Sequence, residues 1–185
     1  MTQLASICVY CGSASGTDPA YAAAATALGH DLARNGTGLV YGGGRIGLMG
    51  LVADACLAGG GTVTGIIPGF LHQREIAHPY VTDLRIVDSM HERKQIMFDL
   101  SDAFAVLPGG LGTMDEAFEM LTWRQLGRHK KPIIFLDTKG YWQPFKALIA
   151  KIVDEGFAQD QVQRMFAFVE EPSEVLPRAR LMRQS

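Results

Sequence analysis

A glycine-rich turn that ends in acidic residues is the part of this sequence best suited to chemistry. It reads PGGLGTMDE over residues 108–116 and ends at Glu116. The apolar run 103–107 before it predicts a buried strand, and the pattern over residues 114–126 after it predicts a helix. A strand, a turn of small residues and a helix N-terminus together expose backbone N–H groups at the positive end of a helix dipole. The sequence therefore predicts an anion-binding site at this turn.

Charged residues beside this turn indicate more than anion binding. Glu116 places a carboxylate one turn into the helix, where a bound phosphate alone would gain nothing from it. Arg93 and Lys94 lie in the first turns of a helix predicted to begin near Ser89, where cations oppose the dipole. An anionic ligand accounts for both cations, although solvated surface charge is the alternative. Glu119 shares the helical face of Glu116, and a role as a partner for Arg124 or as a solvent-exposed carboxylate is equally consistent.

The order of the predicted elements places this turn at one edge of a sheet. Short apolar strands alternate with helices along the chain, which predicts an α/β fold with a parallel sheet covered on both faces. Glycine turns follow three of the strands, at residues 12–16, 42–44 and 109–112. Ligands of such sheets bind outside the carboxyl ends of the strands. The predicted strands cover 6–11, 38–41, 63–67, 84–87, 103–107, 132–136 and 167–169, and the predicted helices 20–34, 47–58, 89–100, 114–126 and 144–154.

Two common nucleotide motifs do not explain these turns. Gly42, Gly44 and Gly47 match the G-x-G-x-x-G dinucleotide pattern. That pattern requires an acidic residue at the end of the next strand to hold the ribose, and residues 65–68 read GIIP. A tightly bound NAD or FAD is therefore disfavoured. A P-loop is excluded because no Lys-Ser or Lys-Thr pair follows a glycine turn.

Length and charge favour one ordinary globular domain. The 185 residues predict a single domain over 1–185, in which residues 171–185 are a peripheral C-terminal segment. Seventeen basic and nineteen acidic residues give a net charge of −2, so composition favours neither a nucleic-acid partner nor a membrane surface. Arg178, Arg180 and Arg183 are interpreted as part of a solvated tail.

The cysteines and histidines add no catalytic centre of their own. Cys8 and Cys11 match C-x-x-C, but they lie along a predicted strand, where positions three apart face opposite sides. Three cysteines without a disulfide framework fit the reducing cytoplasm, and we expect no signal peptide. We expect no metal site, because no ligand spacing typical of zinc is present. His91 and His129 have no orienting partner in the sequence.

Four segments taken together resemble the LOG (Lonely Guy) family. They are PGGLGTMDE, the upstream MHERK, YGGGRIGLMG and CGSASG, and the similarity runs from about residue 6 to residue 157. Members of that family are cytokinin riboside 5′-monophosphate phosphoribohydrolases. The resemblance implies a Rossmann-like, doubly wound fold, a homodimer and no cofactor. It also implies hydrolysis of the N-glycosidic bond of a nucleoside 5′-monophosphate to the free base and ribose 5-phosphate.

The same resemblance assigns residues to roles. Arg93 and Glu116 match the family's catalytic pair. In our interpretation Ser13 and the turn with Gly43 and Gly44 help to hold the 5′-phosphate. The other substrate-binding residues that the resemblance implies are Glu75, Lys94, Gly109, Gly110, Gly112, Thr113 and Thr122. Around Glu75 the stretch HQREIAHPYV departs from the family pattern, so the resemblance says least about base specificity.

Three functions other than cytokinin release are considered. The family was long described as possible lysine decarboxylases, but a pyridoxal enzyme needs a Schiff-base lysine and a partner for the pyridinium nitrogen, and the sequence indicates no such pair. A nucleotide-binding or carrier protein without turnover stays open, but Arg93 and Glu116 argue against it, because a pure phosphate binder gains nothing from a carboxylate beside its anion. A broad nucleotide 5′-monophosphate nucleosidase without a cytokinin role stays open.

Overall fold

The structure is a computed structural model that describes residues 3–71 and 76–184. In these residues seven strands form one sheet flanked by six α-helices, none of which is long and apolar enough to cross a membrane. The strands are β1 (Ser6–Tyr10), β2 (Gly38–Tyr41), β3 (Val63–Pro68), β4 (Asp83–Val87), β5 (Ala103–Val106), β6 (Ile133–Leu136) and β7 (Ala167–Val169). The helices are α1 (Pro19–Arg34), α2 (Gly47–Ala58), α3 (Met90–Asp99), α4 (Leu111–Gln125), α5 (Gln143–Asp154) and α6 (Val175–Arg183).

The strand order shows where the sheet can hold a ligand. It runs β4-β3-β2-β1-β5-β6-β7, and all neighbouring strands are parallel. β2, β3 and β4 extend the sheet to one side of β1. The chain then crosses to the other side of β1 and adds β5, β6 and β7. This confirms the predicted doubly wound, Rossmann-like fold. Because the order reverses between β1 and β5, the crevice outside their carboxyl ends is the expected ligand site.

Alternation along β1 divides the core into two layers. Ile7 and Val9 pack with α1, α2 and α6, whereas Cys8 and Tyr10 pack with α3, α4 and α5. Cys11 lies on the first of these faces, so Cys8 and Cys11 point to opposite sides, as the strand period predicts. All three cysteines are buried, and burial raises the pKa of each thiol, in Cys56 to about 11. These thiols are therefore protonated at neutral pH and act as core side chains.

Helix starts follow the capping chemistry of the sequence, with one informative difference. α3 begins at Met90, close to the predicted start near Ser89, and Ser89 is its N-cap, whose Oγ accepts from the N–H of Glu92 at 3.1 Å. The helix of the glycine turn begins at Leu111 instead of Met114, with Gly110 as its N-cap. Small residues at 110 and 112 allow this earlier start, because the turn itself supplies the first helical residues. As a consequence, Thr113 and Glu116 lie one turn apart on the buried side of α4.

The interpretation of Arg178, Arg180 and Arg183 as part of a solvated tail is wrong, because all three lie on α6. Val175, Leu176 and Ala179 of this helix are fully buried in the core beside the sheet. The arginines lie on the outer side of this helix, where Arg183 Nη2 is 3.1 Å from Asp102 Oδ1. Three apolar residues at helical spacing among charged ones were too weak a pattern to indicate a packed helix.

We expect Leu176→Ala to lower the free energy of unfolding by about 2–5 kcal/mol, because the substitution leaves a cavity in a fully buried site. Urea denaturation followed by circular dichroism measures this change. The matched control is Leu148→Ala on α5, where the side chain is 47% exposed and the loss is expected to be below about 1 kcal/mol. Equal stability of the Leu176→Ala variant and the unmodified protein would contradict the packing of α6.

Candidate functional site

The crevice at the β1–β5 switch point contains a cavity that holds both predicted catalytic residues. Its volume is about 220 Å³, and Arg93 and Glu116 both line it. Ser13, Gly110, Gly112 and Thr113 form other parts of its wall. Arg93 is 4% exposed and Glu116 is 8% exposed. The structure therefore brings together, in one small site, groups that lie far apart in the sequence.

A second cavity adjoins the first along the glycine turn. It also measures about 220 Å³ and is lined by Gly12, Gly109 and Tyr141. Ser13 and Gly110 line both cavities, so the two form neighbouring parts of one cleft. The N-terminus of α4 borders this cleft. N–H groups of its first turn have no partner within the helix, and at the positive end of the helix dipole they are suited to bind an anion.

Arg93 is fixed by main-chain oxygens at the ends of two strands. Its Nη2 donates to the carbonyl of Gly42 at 2.8 Å, and its Nε donates to the carbonyl of Ile66 at 3.1 Å. A Cβ on Gly42 would lie 2.1 Å from Nη2, so position 42 must be glycine for the guanidinium to pass. These bonds hold Arg93 beneath the carboxyl edge of the sheet, where it faces the cavity that Glu116 also lines.

The glycine turn is built for a close approach to the turn after β1. A Cβ on Gly109 would lie 2.2 Å from Oγ1 of Thr113 and 2.9 Å from the backbone nitrogen of Gly12. In contrast, Cβ atoms on Gly110 and Gly112 would meet no atom within 4 Å. Gly109 is therefore required by packing, whereas Gly110 and Gly112 leave the side of the turn that borders the cleft open.

Lys94 makes different contacts from its neighbour Arg93. Its Nζ lies 3.1 Å from Oδ2 of Asp115 and 3.2 Å from Oε1 of Glu119. Burial lowers the pKa of Lys94, but hydrogen bonds and charge from these two carboxylates outweigh burial and raise it above the usual range. The raised pKa keeps the pair charged at neutral pH, and its contribution to stability is lost only as alkaline pH passes the pKa of Lys94.

Lys94 is thus a cation that links α3 to α4, and it does not line the cavity that Arg93 and Glu116 share. The contact of Lys94 with substrate that the resemblance implies stays a prediction. Glu119, for which solvent exposure was an alternative, is the partner of Lys94.

Several other predicted binding residues lie outside the cavity of Arg93 and Glu116. Gly43 and Gly44 are buried beneath residues 76–78, because the carbonyl of Gly43 accepts from the N–H of His78 at 2.9 Å and Gly44 pairs with Ala77. Their neighbour Gly42 lines the cavity instead. Thr122 is exposed on α4. Glu75 lies outside the described residues.

Sequence reasoning missed two contributors to the cleft. Gly42 was treated as part of a glycine motif, and its role as the acceptor for Arg93 depends on a contact between residues 51 positions apart. Tyr141 was not considered, although it lines the second cavity and its hydroxyl donates to the carbonyl of Gly109. Its position just beyond the carboxyl end of β6, on the same sheet edge as the glycine turns, was the available signal.

Within residues 3–71 and 76–184 no group of three or more His, Cys, Asp or Glu side chains is arranged to hold a metal ion. The buried His129 has a structural role, since its Nε2 lies 2.9 Å from the carbonyl of Met120 and its Nδ1 accepts from the N–H of Lys131. Burial lowers the pKa of His129.

Comparison with solved structures supports the fold. The chain superposes on the molybdenum cofactor carrier protein of Chlamydomonas reinhardtii with a TM-score of 0.73 at 20% identity, over 97% of this chain and 98% of that one. A molybdenum cofactor binding protein from Rippkaea orientalis gives a TM-score of 0.71 at 20% identity, with 96% of each chain covered. At this identity the likeness concerns the fold alone.

Comparison at the level of sequence is closer. Residues 49–179 match the family model described as "Possible lysine decarboxylase". The chain is 49% identical over 159 residues to the cytokinin riboside 5′-monophosphate phosphoribohydrolase LOG of Oryza sativa subsp. japonica. The aligned stretch covers 86% of this chain and 66% of that protein. LOG7 of Arabidopsis thaliana is 46% identical over 159 residues, or 86% of this chain and 73% of that protein. With this identity and with Arg93 and Glu116 in one cavity, the chain belongs to the LOG family of phosphoribohydrolases.

Proposed function

We propose that this protein hydrolyses the N-glycosidic bond of nucleoside 5′-monophosphates, with AMP and cytokinin riboside 5′-monophosphate as substrates. One observation carries the proposal: Glu116 and Arg93 line a cavity that borders the glycine turn and N-terminus of α4. Such a site offers an anion-binding turn and a carboxylate within the dimensions of one nucleotide. The names of the LOG relatives from rice and Arabidopsis support the same reaction.

Glu116 is the residue that acts on the reacting carbon. Breaking the C1′–N bond builds positive charge on the ribose, as in the oxocarbenium-like transition state of glycosidases. A carboxylate close to C1′ stabilises this charge and orients or deprotonates the attacking water. The reaction forms a C1′–O bond to water, and the proton from water goes to the departing base. Because Glu116 is 8% exposed, its charge acts through a medium that screens less than water does.

Arg93 orients the reacting groups. Its bonds to the carbonyls of Gly42 and Ile66 keep the guanidinium in one place, and a guanidinium offers five donors in a fixed plane. The donors that face the cavity can bind Glu116, the ribose hydroxyls or the phosphate. Since the side chain is already ordered before substrate arrives, little further entropy is lost on binding.

The 5′-phosphate is held by main-chain N–H groups of the turn around Gly110 and by Ser13. Binding energy from this non-reacting phosphate positions the ribose against Glu116, which lowers the barrier of the chemical step. Apolar side chains of Met49, Leu71 and Met90 line the same cavity and offer a surface for a purine ring. No part of this reaction requires a cofactor.

We also propose a cytoplasmic homodimer. The three buried, reduced cysteines suit a reducing compartment. Leu111 at the start of α4 and Leu126 just after its end are 89% and 71% exposed, so a second copy that covered α4 would remove their apolar surface from water. Thr122 lies on the same helix, so a second copy that covered α4 would bring this residue close to a neighbouring subunit.

Sedimentation velocity is expected to give twice the mass of one chain for the unmodified protein. The Leu126→Asp variant should shift toward the monomer, because the substitution places a charge in the proposed apolar interface. A matched control is Leu148→Asp on α5, at another partly exposed leucine, which should stay dimeric. A monomeric unmodified protein would contradict the dimer.

The reaction is tested by measuring free base released from AMP, N6-isopentenyl-AMP, GMP, CMP and adenosine under identical conditions. We expect kcat/KM for AMP to exceed that for adenosine by at least about tenfold, because each charge-assisted hydrogen bond to the phosphate contributes about 1.5–3 kcal/mol. Equal rates for AMP and adenosine would contradict the phosphate site. Binding of all monophosphates without base release would instead indicate a nucleotide carrier.

The control for this measurement is the Glu116→Gln variant, which keeps the shape of the side chain and removes its charge. It should fold normally and release base at least about 100-fold more slowly, the usual scale for loss of a general acid–base group. Near-normal adenine release from AMP by this variant would rule out the assignment of Glu116.

Two alanine substitutions in the glycine turn separate packing from binding. Gly109→Ala should destabilise the protein, because its Cβ would meet Thr113 and the backbone of Gly12. Gly110→Ala should leave the unfolding midpoint unchanged, because the added methyl meets no atom within 4 Å. It should raise KM for AMP about tenfold, or by about 1.4 kcal/mol, since Gly110 lines the cleft. An unchanged KM would show that the phosphate binds elsewhere.

A further inference from the structure

We propose that Tyr141 is a positioning residue for the phosphate site, and that it acts by fixing the peptide bond between Gly109 and Gly110. This inference rests on the proposed function, in which the turn around Gly110 holds the 5′-phosphate. Tyr141 lies outside the four motifs of the sequence and comes from the segment between β6 and α5.

The contact that carries the inference is a hydrogen bond across the sheet edge. The hydroxyl of Tyr141 donates to the carbonyl oxygen of Gly109, a residue 32 positions earlier in the chain. Both residues line the cavity that also contains Gly12 and Ser13. A phenol has one O–H donor, and here Gly109 takes it. Tyr141 is therefore unable to donate to a bound phosphate while it makes this bond, and its effect on the phosphate must pass through the turn.

The geometry of the peptide bond transmits the effect. A peptide unit is planar, and in its trans form the carbonyl and the following N–H point in opposite directions. The structure contains no cis peptide bond in its described residues, so this holds for the Gly109–Gly110 unit. A hydrogen bond that holds the Gly109 carbonyl toward Tyr141 therefore turns the N–H of Gly110 away from Tyr141. Because Gly110 is the N-cap of α4, this N–H belongs to the anion site at the helix start.

Glycines at 109 and 110 make such a constraint necessary. The backbone of glycine rotates more freely than that of other residues. At Gly110 the space beside the Cα is also open, because a Cβ there would meet no atom within 4 Å. The hydroxyl of Tyr141 supplies a restraint that the glycines lack. A turn left free to rotate would have to lose this freedom when phosphate binds, which weakens binding.

The rest of the segment holds Tyr141 in place. The carboxylate of Asp137 is buried at the end of β6 and accepts hydrogen bonds from the backbone N–H of Trp142 at 2.6 Å and from Nε2 of Gln143. The ring of Tyr141 packs edge-on against Tyr21 of α1, with ring centres 5.8 Å apart. The hydrogen bonds to Asp137 fix the main chain next to Tyr141, and the packing against Tyr21 fixes its ring. The hydroxyl is therefore held close to Gly109.

The test is Tyr141→Phe, which removes the hydroxyl and keeps the ring. We expect KM for AMP to rise about three- to tenfold, the scale of one hydrogen bond, while kcat changes by less than about twofold. The dissociation constant for inorganic phosphate, measured by isothermal titration calorimetry, should rise by the same factor. Phe157→Leu is the control, because that side chain is 84% exposed and lines neither cavity of the cleft, and it should change neither quantity.

The outcomes distinguish this inference from the proposed function. Unchanged phosphate affinity and unchanged KM in Tyr141→Phe would overturn the inference, and so would a fall in kcat without a rise in KM. If the unmodified protein released no base from any nucleotide, the proposed function would fail. The phosphate titration would then still decide whether Tyr141 positions an anion site.

Discussion

The main-chain groups of Gly12 tie together the three segments that form the cleft. Its N–H donates to the carbonyl of Pro108 at 3.0 Å, and its carbonyl accepts from the N–H of Leu48 at 3.0 Å. The turn after β1 is thereby joined both to the glycine turn before α4 and to the first turn of α2. A Cβ on Gly12 would lie 2.9 Å from the carbonyl of Ala14 and 3.3 Å from Cα of Gly109. The position of Ser13 opposite Gly110 depends on this approach of two backbones.

Two adjacent cations on α3 serve the site in different ways. Arg93 passes beneath the sheet edge to the carbonyls of Gly42 and Ile66, whereas Lys94 binds Asp115 and Glu119 on α4. Asp115 precedes Glu116, and Glu119 follows it by one turn. The ammonium group therefore holds the part of α4 that carries Glu116 against the part of α3 that carries Arg93. Because Lys94 is 8% exposed, loss of both carboxylates would leave its ammonium group as an uncompensated buried charge.

The sequence was sufficient to predict the sheet and to place Arg93 and Glu116 at the same sheet edge, where they line one cavity. It failed where the partners of a side chain are distant in the sequence. Strands 38–41 and 167–169 were predicted with the bounds that the structure has, because short apolar runs between turn residues are local signals. The same strand logic placed the glycine turn at the carboxyl edge. The partners of Lys94 could not be predicted, since α3 and α4 meet only in the folded chain. The buried face of α6 consists of three residues only, and arginines separate them in the sequence from other apolar residues.

The division of labour in the cleft explains why an anion site and a carboxylate can be neighbours. A lysine at the phosphate position would attract Glu116 as well as the substrate, and an ion pair between them would compete with binding. Main-chain N–H groups at the start of α4 bind an anion through partial charges that fall off within the first turn, so they act on the phosphate more than on the carboxylate further along the helix. Asp115 and Glu119 keep the ammonium of Lys94 outside the cavity wall. In the proposed reaction, Glu116 can therefore stabilise the charge that develops on the ribose, while the backbone holds the phosphate.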